Sequence, residues 1–138
     1  MPDARTLTAA TPLALALLRI VVGLIFLAHG TQKFLGFPSG EYAGSGWAFD
    51  NPGAFAGVVE LVAGLLITIG LFTRTAAFLA SGTMAVAYWY AHAPQNSFPI
   101  NNGGDAAILY CFVFLLFVFS GPGRLSLDGQ RESQAEAA

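Results

Sequence analysis

Charged side chains are scarce in this sequence: 6 Lys and Arg with 8 Asp and Glu make up 10% of 138 residues. An ordinary soluble domain carries about 25%. So few charges cannot cover the large surface of a small chain, which excludes an ordinary soluble protein. The balance of six against eight leaves no basic footprint and excludes nucleic-acid binding as a main role. Cysteine occurs once, at Cys111, which rules out a disulfide scaffold and dithiol redox chemistry within the chain. Histidine occurs twice, at His29 and His92, and no Glu-x-x-His or His-x-x-x-His pair is present. That spacing argues against a metal centre or a haem. No phosphate-binding loop, nucleophile elbow or dinucleotide fingerprint appears.

What is abundant is apolar: 55% of the chain, gathered in long runs. A helix needs about 20 apolar residues to cross a bilayer. Four stretches qualify or nearly do, at residues 13–35, 54–72, 75–92 and 104–120. The first follows Thr11-Pro12 and the second follows Pro52, and proline suits a first helical turn. The fourth is stopped by Gly121-Pro122-Gly123. None alternates like a barrel strand, and backbone satisfaction in lipid then requires helices. The sequence predicts an all-α, polytopic membrane four-helix bundle over residues 13–124. A short segment, 1–12, precedes it, and a polar tail, 125–138, is expected to be disordered. A cleaved signal peptide is the rival reading of the first run. Arg19 interrupts its apolar stretch, however, and the run resumes to Ala28.

Orientation follows from basic residues in short flanks. One side carries Arg5, Arg74, Arg124 and Arg131, with Arg19 able to snorkel towards it; the other has only Lys33. Both termini are therefore expected in the cytoplasm. Tyr88, Trp89 and Tyr90 fall at the outer end of the third span, and Trp47 and Phe49 in the first outer loop, where interfacial aromatics belong. Small residues should set the packing. Ala77, Ser81 and Ala85 form one stripe, Ala56, Glu60 and Gly64 another with Gly57 beside it, and Gly23 and Gly30 share one side of the first span. Phe112, Phe114, Phe117 and Phe119 crowd the fourth; they face lipid or fill the space left by small residues, with quinone stacking as the functional alternative.

Ionisable side chains inside spans default to functional hypotheses. Here they are Arg19, His29, Lys33, Glu60, His92 and Asp105. All except Arg19 fall in the outer half of the expected bundle. His29, Gln32 and Lys33 share one helix face. Glu60 lies among small residues and should point inward, paired with Lys33 or His29. Asn101 and Asn102 lie in the adjoining loop, and Asp105 either joins the pocket or caps the fourth span. Each has a plainer reading: Lys33 snorkels, His92 is solvated, Glu60 and His29 make interhelical hydrogen bonds, and Arg74 and Arg124 only set topology.

Three segments together resemble the DoxX family of small bacterial four-helix membrane proteins. They are LLRIVVGLIFLAHGTQKFLG from Leu17, FAGVVELVAGLLITIGLFTRTAA from Phe55 and NGGDAAILYCFVFLLFVFSGPGRLSLD from Asn102. Many members carry Glu where Asp105 stands. That family includes a subunit of a thiosulfate:quinone oxidoreductase, and other members are tied to membrane oxidoreductase complexes and to resistance to quinones or oxidants. The resemblance implies a multi-pass protein of the bacterial inner membrane, with lipid and a membrane oxidoreductase complex as its partners. It also implies quinone- or sulfur-linked redox chemistry. On that reading Glu60 and His29 are catalytic, Glu60 carrying a proton. Gln32, Lys33, His92, Asn102 and Asp105 bind a quinone or other substrate, and Arg19, Arg74 and Arg124 are structural. No cofactor is evident in the chain itself, so a bound quinone or a partner must carry the electrons. A non-enzymatic accessory subunit is the alternative, and a small-molecule permease ranks below it.

Overall fold

Asp3 begins the first helix: its side chain accepts from the Thr6 amide at 2.8 Å, and α1 then runs unbroken over Ala4–Leu35. In this computed structural model, which describes residues 1 and 3–137, α1 is followed by α2 (Pro52–Ile69), α3 (Thr73–Ala87), α4 (Pro99–Asn102), α5 (Asp105–Ser120) and α6 (Leu127–Glu136). There is no strand among the described residues. Of these helices, α1 and α2 are long and apolar enough to cross a membrane, and α5 is a shorter apolar helix. A single π turn, Tyr88–His92, prolongs α3.

Two expectations need correction. Proline was placed at the start of the first span, but α1 starts at Ala4 and Pro12 lies inside it. The Asp3 cap starts the helix two turns upstream, so Pro12 sits in the helix interior, where it forfeits its own amide bond and crowds the Thr8 carbonyl one turn back. The tail was expected to be disordered, yet α6 forms there. Ser126 is buried at its start, and its Oγ accepts from the Gly129 amide at 3.1 Å.

Packing follows chain order: α1 lies against α2, α2 against α3, and α3 against α5. Glycines set the first of these seams. A Cβ on Gly23 would meet the Thr68 backbone at 2.9 Å, one on Gly30 the Leu61 amide at 2.6 Å, and one on Gly64 the Leu27 backbone at 2.8 Å. The two backbones touch because no side chain separates them. In α2 the face buried against α1 runs through Gly57, Glu60, Gly64 and Ile67, while Ala56 of the expected stripe turns aside. Between α3 and α5 the small residues Ala77, Ala80 and Ser81 do the same work, and Ser81 Oγ donates to the Cys111 carbonyl at 2.8 Å. Large rings close the remaining gap between α1 and α5: Phe26 meets Phe114 edge-on at 4.7 Å and Tyr110 at 5.5 Å. The phenylalanines of α5 divide, Phe114 and Phe117 being fully buried and Phe112 and Phe119 exposed.

The end where α2 turns into α3 is tied by side chains. Arg19 does not snorkel: it is 0% exposed. Its guanidinium donates to the carbonyls of Ile67 and Thr68 at 2.6 Å, Pro122 at 2.9 Å and Leu125 at 2.8 Å. Arg74 donates to the Val118 and Phe119 carbonyls at the end of α5. The Arg124 amide donates to the Pro12 carbonyl at 2.9 Å. Asp128 caps α3 from a distance in sequence, accepting from the Phe72 amide at 2.8 Å and the Thr73 amide at 2.9 Å.

Burial would raise the Asp128 carboxyl, but the hydrogen bonds from Thr73 and Phe72 and the nearby Arg131 outweigh it and hold the group below its ordinary value. A depressed folded value means this cap stabilises at neutral pH and loses its contribution as pH falls through the folded value. Asp128→Asn should therefore lower stability by about 1 kcal/mol at pH 7. In detergent melts the gap between wild type and variant should narrow as pH falls below the carboxylate range. A gap that stays constant down to pH 3 would show that the ionised cap contributes nothing.

Candidate functional site

The antiparallel glycine seam brings the third turn of α2 against the last turns of α1. Gly57 leaves room there for the Lys33 stem, whose Cδ would lie 3.0 Å from a Cβ at that position. The stem crosses the α2 backbone and delivers Lys33 Nζ to Glu60 Oε1 at 2.8 Å. Side-chain exposure is 16% for Lys33 and 7% for Glu60, so the pair is largely withdrawn from solvent. The second carboxylate oxygen, Glu60 Oε2, is buried and has no hydrogen-bond partner among the described residues. A buried acceptor left unpaired costs about 1–3 kcal/mol, so this atom is where the site can gain from a donor.

Aromatic side chains flank the pair. Tyr110 of α5 stacks on Phe114 at 5.6 Å with 18° between the rings. His29 is exposed, and its ring meets Tyr110 edge-on at 6.2 Å. Lys33 and Glu60 therefore meet as expected, whereas His29 forms no ion pair with Glu60 and its ring meets Tyr110 instead. Sequence reasoning missed Tyr110. The available signal was its place one turn before Phe114, on the α5 face that turns towards α1.

The other expected members lie elsewhere. Gln32 folds over the following loop and donates to the Pro38 carbonyl at 3.1 Å. His92 Nδ1 lies 3.0 Å from the Asn102 carbonyl; Asn102 is buried, its side chain donating to the Asn96 carbonyl at 2.9 Å and accepting from the Gly104 amide at 2.8 Å. These contacts fasten the loop between α3 and α5. Asp105 is exposed at the first residue of α5 and accepts from the Ala106 amide at 3.0 Å. The five ionisable groups do not form a single pocket: the loops after α1 and before α5 hold Gln32, His92 and Asn102 through their own backbone groups. Arg19, Arg74 and Arg124 gather at the opposite end.

The DoxX family model matches residues 14–93. An uncharacterized protein of Haemophilus influenzae is 48% identical over 86% of this chain and 91% of its own length. The uncharacterized membrane protein Rv3486 of Mycobacterium tuberculosis is 34% identical over 96% of this chain and 90% of its own length. The inner membrane protein YphA of Escherichia coli is 32% identical over 87% of this chain and 91% of its own length. No solved structure matches.

Proposed function

The chain belongs to the DoxX family of membrane proteins, and on that premise we propose that it is a multi-pass inner-membrane subunit for quinone- or sulfur-linked redox chemistry. In this reading α1, α2, α3 with its π turn, and α5 span the bilayer as a four-helix bundle. Both termini are cytoplasmic, and the Lys33–Glu60 pair is the working site in the outer half. The spans of α3 and α5 are short, and flanking side chains or local thinning of the bilayer accommodate them.

The observation that carries the reading is Glu60 Oε2, an unpaired carboxylate oxygen buried among helices with a cation on its sister oxygen. The polar groups fit a quinol–quinone pair: Glu60 Oε2 accepts from a quinol hydroxyl, Lys33 and His29 offer hydrogen bonds to carbonyl oxygens, and Tyr110 supplies an aromatic wall. A bound quinone would supply the electron acceptance that no side chain here provides. The residues of the chain bind, orient and exclude water, and Glu60 holds or releases a proton at Oε2. Because the chain holds no electron carrier, this reading requires an oxidoreductase partner in the membrane. Were the chain an accessory subunit instead, the exposed Phe112 and Phe119 on α5 would be its docking surface.

Glu60→Gln tests the reading. The variant should insert and accumulate like wild type, while binding of a short-chain quinol to the protein in lipid nanodiscs falls at least tenfold. Quinol binding at wild-type affinity would remove Glu60 from the site. A variant that fails to accumulate would make Glu60 structural.

A further inference from the structure

The α2–α3 hairpin carries a surface crevice that shares no residue with the Lys33–Glu60 pair. Gly70, left-handed at φ 70, turns α2 tightly towards α3, and the crevice opens over the half of the hairpin away from that turn. It holds about 580 Å³ and is lined by Phe55, Ala56, Val59, Phe78, Gly82 and Tyr90, among others. Sites for small molecules span about 300–1,000 Å³. Three features define what fits this one. First, it is apolar: no charged side chain lines it, and its polar side chains are Thr83 and Tyr90. Thr83 spends its hydroxyl on the Leu79 carbonyl at 2.8 Å. Water would find too few partners to settle there. Second, it is long and narrow. Its lining on α3 runs from Phe78 to Ala91, about 20 Å of helix axis. Over that length the volume amounts to a channel roughly 6 Å across. That is too narrow for a helix of about 10 Å, and wide enough for a carbon chain whose atoms sit about 4 Å from their neighbours. Third, Gly82 lines it for no reason internal to the fold. A Cβ there would meet nothing within 4 Å, so no neighbouring element needs the glycine. In mid-helix it costs about 1 kcal/mol against alanine. What the missing side chain provides is depth in the crevice.

We propose that this crevice holds one acyl chain of a phospholipid, drawn from the leaflet at the end where α3 passes into its π turn. The chain packs along α3 over Gly82, and its glycerol end emerges beside Tyr90. Tyr90 is exposed, and a phenol at that depth donates to an ester or phosphate oxygen. Bulk lipid is as apolar as this lining, so the hydrophobic effect does not choose between them. Packing does: a chain seated in the crevice supplies contact atoms to both helices, which an empty channel would forfeit. Such a lipid needs α3 to span the bilayer and needs nothing of the redox chemistry.

The test places the full chain in lipid nanodiscs doped with phosphatidylethanolamine that carries a diazirine midway along one acyl chain, followed by photolysis and peptide mapping. Label on residues 52–59 and 78–91 should exceed that on the exposed Leu17 of α1 and Phe112 of α5 by about fivefold, the gain from several added atom contacts. Gly82→Leu, whose side chain enters open space, should fill the channel and bring the yield down to that of the other faces. Gly82→Ala removes the helical cost but leaves most of the channel, and should keep the excess. Even labelling of all exposed faces in wild type, or an excess unchanged in Gly82→Leu, would overturn the site. Crevice residues shielded from label in wild type, together with a dimer that Gly82→Leu disperses, would give the crevice to a second copy of the chain and overturn the lipid assignment. Label on α1 and α2 with none on α3 would overturn the lipid by a different route, since it would take α3 out of the bilayer and the four-span reading with it.

Discussion

Arg19→Ala should destabilise the protein by about 4 kcal/mol or more and lower its melting point by roughly 10–20 °C. Four carbonyls from two segments, Ile67, Thr68, Pro122 and Leu125, converge on this one guanidinium. Two belong to the end of α2, where Gly70 turns left-handed at φ 70 and ends the helix, and two to the chain beyond α5. Helix ends strand their last carbonyls, and here the completely buried Arg19 supplies their donors. Alanine would leave the carbonyls unpaired and a cavity beside them. Arg19→Lys should recover little, since an ammonium on a flexible stem cannot address a fork of acceptors in several directions. Melting of the detergent-solubilised variants is the measurement. Arg19→Ala within about 2 °C of wild type would show that the clamp contributes nothing.

The second large effect is expected at the buried ion pair. Lys33→Leu should cost about 3–5 kcal/mol, because Glu60 is then left without its cation in a dry seam. Lys33→Leu with Glu60→Leu should recover most of that loss, since apolar side chains of similar volume replace buried ion pairs at little net cost. The double variant should nevertheless bind no quinone, and this separates the pair's structural part from its proposed chemistry. Should the double variant be as unstable as the single one, the seam depends on something other than charge compensation at these two positions. Quinone binding by a stable double variant would move the site elsewhere.

Much of this fold was legible. Apolar runs marked the helices because a buried or lipid-covered helix tolerates few charges, and Gly23, Gly30, Gly57 and Gly64 marked the α1–α2 seam because close backbones need small side chains. The Lys33–Glu60 pair was legible as two ionisable groups whose burial demands a partner. What escaped depended on groups that declare nothing in sequence. Arg19 reads as a topology charge until the breaks at Gly70 and Gly121-Pro122-Gly123 are seen to strand carbonyls beside it. Asp128 reads as one more acid in a polar tail until the tail folds back over α3. His92 and Asn102 were drawn into the site by depth alone, whereas the short turn of α4 supplies them with nearer partners.

The seven-residue spacing on both sides of the α1–α2 seam has a consequence for how that hairpin finds its register. Gly23 and Gly30 on one helix and Gly57 and Gly64 on the other repeat at the same interval. Sliding α1 by seven residues, about 10 Å along its axis, would set Gly23 against Leu61, Leu27 against Gly57 and Gly30 against Ala54. That is nearly as smooth a fit as the native one, in which Gly23 meets Thr68 and Leu27 meets Gly64. Packing alone leaves the two alignments close to degenerate. The slipped one would place Glu60 opposite Phe26 and carry Lys33 beyond the helix it should meet. The buried Lys33–Glu60 pair at one end and the Arg19 clamp on the Ile67 and Thr68 carbonyls at the other thus act as index marks, lifting the degeneracy of a seam that small residues make tight but not unique.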